Sequence, residues 1–141
     1  MPFELRISVS AARGLAMSLG VPAIGVSLHE ALAYQSTGTV RTAIDARRDH
    51  VYLQDFDDGV SLGPPQLFRI DRLPTATAQS VLGPGANLAR QSESRQPAAH
   101  APAEAIALIA EPADPGSPPA PLYIRGPDAD PPRDAPPVML D

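Results

Sequence analysis

The sequence predicts an α/β domain, and three observations carry that reading. Leu5, Val9, Ala12, Ala16 and Leu19 recur at three- and four-residue steps, the spacing of one helix face. Val40, Thr42 and Ile44 alternate, a polar Ala46-Arg47-Arg48-Asp49 reverses the chain, and Val51, Leu53 and Asp55 then alternate against Tyr52 and Phe56. Lastly, Gly83-Pro84-Gly85 follows a short apolar stretch and precedes residues of helical character. At 141 residues the chain has the length of one domain, enough for a single core.

Element by element, the first helix is expected over Glu4 to Leu19, with Gly20 as its C-terminal cap and Pro22 barring continuation. Val21, Ile24 and Val26 then read as a short buried strand. Ser27 stands three residues before Glu30, the reciprocal capping-box spacing, and opens a second helix through Leu28, Ala31, Leu32 and Gln35 that ends near Gly38. The hairpin follows, Asp57-Asp58-Gly59 supplies a tight turn, and Leu67 to Ile70 adds a third strand. Up to this point the sheet reads as antiparallel. A helix is expected from about Ala86 and another from about Pro102, with residues 91–101 as loop. Twelve of the eighteen prolines lie at or after Pro97, so the end of the chain, Asp130 to Asp141, is expected to be extended or disordered.

Composition removes several function classes. A formal charge of −5 offers no general attraction to phosphate backbones, which argues against direct RNA capture. With no cysteine there is no disulfide, thiolate metal site or cysteine nucleophile. No apolar run reaches the roughly 18 residues of a membrane span, and no signal segment opens the chain, so a cytoplasmic protein without membrane contact is expected.

The chemistry-bearing residue types give weak patterns. Gly83-Pro84-Gly85 before a helix could cradle a phosphate, but the lysine of a P-loop and the third glycine of a dinucleotide fingerprint are missing, so an ordinary turn is the better reading. Asp45, Asp49, Asp55, Asp57 and Asp58 cluster around the hairpin without convergent metal-ligand spacing. His29, His50 and His100 are scattered, no Gly-x-Ser-x-Gly elbow occurs, and Arg47-Arg48 is neutralised by Asp45 and Asp49. Catalytic, metal and cofactor-binding residues are therefore expected to be none.

The first helix itself is the remaining feature. Ser8, Ser10, Ala11, Ala12 and Gly14 make it rich in small side chains, and Gly14 in mid-helix costs about 1 kcal/mol relative to alanine. Ile7, Ala11, Leu15 and Met17 extend apolar surface around much of its circumference, so it is expected to be buried on most sides, within its own domain or against another molecule.

The stretch "LRISVSAARGLAMSLGVPAIGVSLHEALA" closely resembles the segment following the Gly-Pro-Gly-Ser-Phe-Thr-Gly turn of the TsaB (YeaZ) family, the dimerisation subunit of the bacterial tRNA threonylcarbamoyladenosine machinery. The likeness continues through "AIDARRDHVYLQDF" and "VLGPGA" to "PLYIRGPDADPP", in the family's order. The resemblance implies an RNase H-like, actin-type ATPase (ASKHA) fold without a metal-binding active site. It also implies an N-terminally truncated chain or a misassigned start, since family members carry a first lobe before the turn and "MPFE" does not match the glycine-rich lead. On that basis residues 1–38 are expected to be the remnant of the first lobe, 39–120 the second lobe, and 121–141 an extended proline-rich tail.

By resemblance the partners are TsaD, TsaE and a second copy of the chain, with tRNA met only through the complex and ATP used by that complex. The family's helix corresponding to Glu4–Leu19 forms the contact, and its outward face here is assigned to Arg6, Ile7, Ser10, Arg13, Gly14 and Met17. A non-catalytic scaffold is the leading expectation. The alternatives are a peptidase of the M22 type and a truncated remnant that binds no partner.

Overall fold

The computed structural model describes residues 2–75, 78, 80–89, 102–116 and 118–124, with side chains described from Arg6 onward. The expected loop at 91–101, His100 and the tail beyond 124 lie outside the described residues. Helix α1 spans Pro2–Leu19. It ends as the sequence predicts: Gly20 takes φ 66°, its N–H bonds Met17 O at 3.3 Å, and Val21 N–H bonds Ala16 O at 3.0 Å. Those are the paired bonds of a Schellman motif, with glycine in the left-handed position at no side-chain cost.

The expected strand at Val21–Val26 does not form; residues 21–27 carry no regular secondary structure. Pro22 lacks an N–H, and the neighbour at Gly25 is Pro119, within a Pro118-Pro119 pair that has no donor to offer. Helix α2, Leu28–Ala33, carries the expected capping box: Ser27 N–H donates to Glu30 Oε2 at 2.8 Å, and Glu30 N–H to Ser27 Oγ at 3.1 Å. It stops short of Gly38, because Tyr34 leaves helical geometry and Gln35 takes φ 54°.

Strands β1 (Thr39–Arg47) and β2 (His50–Asp57) form the hairpin, in register from Thr39↔Asp57 to Asp45↔Val51, with a one-residue shift before Arg47↔His50. Its two-residue loop, Arg48-Asp49, has positive φ at both positions, as a type I′ turn requires. Asp58-Gly59 repeats the device into β3 (Val60–Ser61), and β4 (Gln66–Arg69) realises the expected third strand. Strand β5 (Ser80–Leu82) pairs in parallel with β1, so the sheet is mixed rather than antiparallel, in the order β3-β2-β1-β5 with β4 also on β2. A parallel partner needs a distant crossover, which alternation within one hairpin does not reveal.

Register divides the side chains between two faces. Val40, Phe56 and Leu82 join Ala33 of α2 on one, while Ala43, Val51, Leu53 and Val81 join Ala89 on the other, with Phe68, Leu73 and Ala86 packed against them. Helix α3, Pro102–Ala110, packs on α2, which itself lies on β1. Ala33 of α2 thus packs with Val40, Phe56 and Leu82 of the sheet.

Gly83-Pro84-Gly85 opens a turn instead of the expected helix. Gly85 N–H bonds Ala43 O at 2.9 Å, and the next bonds, Ala86 N–H to Gly83 O and Leu88 N–H to Gly85 O, are of the tight i→i+3 kind. A Cβ on Gly85 would sit 2.9 Å from backbone atoms of Ala43 and Ile44. The glycine therefore exists for close packing on β1, and its N–H is spent there instead of facing a phosphate. Gly85→Ala should lower stability by about 1–3 kcal/mol, the range for overpacking a tight contact. A shift of the urea midpoint with unchanged slope would register it; an unchanged midpoint would refute the close contact.

Candidate partner-binding surface

An apolar helix normally surrenders one face to a core, yet the described side chains of α1 remain largely in water. Ile7 is 59% exposed, Leu15 62%, Met17 85% and Leu19 65%. Val9 and Ala16 are only half-buried, and nothing approaches within 4 Å of the position a Cβ on Gly14 would take. The expectation that the helix is buried within its own domain is thereby overturned for these residues. Among the described residues, no helix packs against the small side chains of α1.

Arg6, Ile7, Ser10, Arg13, Gly14 and Met17 are all exposed, like most of the described side chains of α1. Arg6 is engaged at one edge: its Nε donates to Tyr123 Oη at 2.7 Å, and its guanidinium lies 5.6 Å from the centre of the Tyr123 ring. Segment 118–124 therefore forms a strap, seated through Pro119 on Gly25 and through Tyr123 on α1. Sequence reasoning missed Leu15, Leu19 and Tyr123 as surface groups. The periodicity places Leu19 on one face with Ala16, yet Leu19 is exposed while Ala16 is half-buried.

The other candidates are not brought together. Asp45 pairs with Val51 at one end of the hairpin and Asp57 with Thr39 at the other. Arg47 N–H donates to Asp45 Oδ1 at 2.7 Å, consistent with a self-contained turn. His29 is buried, its Nδ1 2.7 Å from Thr42 Oγ1, and Thr42 Oγ1 donates to Gln54 O at 3.0 Å. The hydroxyl's one proton is used on Gln54, so His29 carries its proton on Nδ1 and donates to Thr42. His29 Nε2 is left buried without a partner. Burial pushes the imidazole down to about 4, against a smaller upward push from Glu30. Among the described residues no group of three or more His, Asp or Glu side chains could hold a metal ion.

Residues 2–67 match the family model described as TsaD: tRNA N6-adenosine threonylcarbamoyltransferase. A crystal structure of an uncharacterized protein with similarity to peptidase YeaZ, from Pseudomonas aeruginosa, superposes with a TM-score of 0.59 at 23% identity, over 85% of this chain and 67% of that one. YeaZ from Pseudomonas aeruginosa superposes with a TM-score of 0.50 at 28% identity, over 64% of this chain and 49% of its own. The chain is TsaB/YeaZ-like. Its mixed α/β architecture matches the RNase H-like, ASKHA type of these YeaZ neighbours. Among curated relatives, uncharacterized proteins of Mycobacterium leprae and Mycobacterium tuberculosis are 30% and 31% identical over 132 residues. The YeaZ-like chain spans 37% of the former and 62% of the latter. No helix among its described residues is long and apolar enough to cross a membrane.

Proposed function

We propose that the chain acts as a non-catalytic docking subunit in the formation of threonylcarbamoyladenosine on tRNA, presenting α1 to TsaD in the cytoplasm. The observation that carries this is the exposure of Ile7, Leu15, Met17 and Leu19 on a helix with open space at Gly14. An apolar surface of this kind, flanked by Arg6, Ser10 and Arg13, has the composition of a contact site. Self-association through the same helix competes with TsaD. TsaE joins the assembly through TsaD, tRNA is met through the complex, and ATP is the nucleotide of the complex.

The test is a calorimetric titration of TsaD with the chain and its variants. Gly14→Leu blocks close helix approach and Ile7→Asp places an unpaired charge in a dry contact, so each should weaken binding more than tenfold, which is about 1.4 kcal/mol. Arg47→Ala, on the hairpin turn, should bind like the parent. If the two helix variants bind normally, the surface is misplaced. Casein cleavage by the purified chain, lost on Asp45→Ala, would instead favour a peptidase.

A further inference from the structure

Helix α1 differs from the rest of the chain in charge as well as in exposure. The whole protein carries a formal charge of −5, yet from Leu5 to His29 there is no aspartate or glutamate, while Arg6 and Arg13 both fall in that stretch. Glu4, in the first turn, is the one carboxylate of the helix. Arg6 and Arg13 are two helical turns apart, about 10.5 Å along the axis, so both project from the same side, on the ridge that Ser10 and Met17 share. Both are exposed, and among the described residues neither is paired with a carboxylate.

Arg6 is nonetheless held in place. Its Nε donates to Tyr123 Oη at 2.7 Å and its guanidinium lies 5.6 Å from the ring centre, so the strap at 118–124 anchors one edge of the group. A guanidinium has five N–H groups, and with Nε engaged the four on Nη1 and Nη2 remain uncommitted. That free end is the fork that matches the two oxygens of a carboxylate, and holding it in one orientation reduces what a partner must order on binding. Ile7, 59% exposed, follows Arg6, and Met17, 85% exposed, lies one turn beyond Arg13, so apolar contact area flanks both cations.

We propose that α1 selects a partner helix whose apolar stripe carries carboxylates two turns apart, received by Arg6 and Arg13, with Tyr123 as the positioning residue for Arg6. This rests on the reading of α1 as a docking surface and adds the chemistry of what it accepts. A second copy of the chain is the poorer fit. Its α1 offers only Glu4, which can neutralise at most one of the two arginines, and the other is left facing a surface without a counter-charge as water is withdrawn. An acidic helix neutralises both cations and is drawn towards them as it approaches.

The test compares two associations of the full chain: with TsaD by calorimetry, and with itself by sedimentation equilibrium. Arg6→Gln combined with Arg13→Gln changes two exposed positions, so the fold tolerates it. It should weaken TsaD binding about tenfold and tighten self-association at least threefold, opposite signs that loss of structure cannot produce. Added salt should move the parent in the same two directions. Tyr123→Phe should weaken TsaD binding about threefold in the parent and have no effect beside Arg6→Ala, the mark of a residue that acts through Arg6. Changes of the same sign in both associations, or TsaD binding lost in Ile7→Asp but unmoved by the arginine changes, would overturn the acidic preference and keep the docking surface. Binding indifferent to Ile7→Asp and to the arginines alike would overturn both, and an equal effect of Tyr123→Phe in the two backgrounds would refute its positioning role.

Discussion

Asp55→Ala is expected to destabilise the fold by about 3 kcal/mol or more, the range for breaking a buried pair by removing one partner. The reason lies in the asymmetry of the pair. Arg41's side chain is 7% exposed while Asp55's is 32% exposed, so removing the carboxylate leaves a nearly buried guanidinium without its counter-charge. The pair itself adds little, because both charges were desolvated to make it. Arg41→Met combined with Asp55→Leu should therefore recover most of the loss, and the double-mutant cycle in urea measures the coupling. A single-variant cost below about 1 kcal/mol, the size of an exposed ion pair, would show that Arg41 is hydrated after all.

Acid should weaken the fold through His29, by about 3 kcal/mol in all. The folded-state value of about 4 lies below the ordinary histidine value of 6.5, so the folded chain holds the neutral ring. Above pH 6.5 neither state binds the proton and His29 has no pH-dependent effect. Between 6.5 and 4 the unfolded chain takes up a proton that the folded chain excludes, and stability falls as pH falls; below 4 the loss is complete. His29→Asn keeps a donor near the position of Nδ1 for Thr42 and removes the titration. The stability difference between parent and variant should shift by about 2 kcal/mol from pH 7.5 to pH 5, against the parent. A difference independent of pH would mean that Nε2 finds water.

Local signals were read from the sequence correctly, and long-range ones were not. The Ser27 and Glu30 spacing, the Gly20 cap and the alternation of the hairpin each lie within a few residues, and each is realised. Val21–Val26 has the apolar content of a strand, but a strand needs a donor-bearing neighbour, and which neighbour it meets is decided by residue 119. For the partner surface, Arg6 to Met17 were named through helical periodicity together with resemblance. The fold adds that these side chains stay exposed, with Arg6 engaged by Tyr123.

The mixed sheet also orders events in time. Arg47 meets His50 across a two-residue turn, whereas Val40 meets Ser80 across forty positions of chain. Closing the longer segment costs on the order of 3 kcal/mol in chain entropy before any parallel bond rewards it. The hairpin is therefore the natural nucleus, and β5 docks afterwards, bringing Gly83 and Gly85 onto the backbone of β1. Substitutions in the glycine turn then belong to the late side of the barrier: they should hasten unfolding while leaving the refolding rate almost unchanged, and the turn would set the lifetime of the native state rather than the speed of its formation.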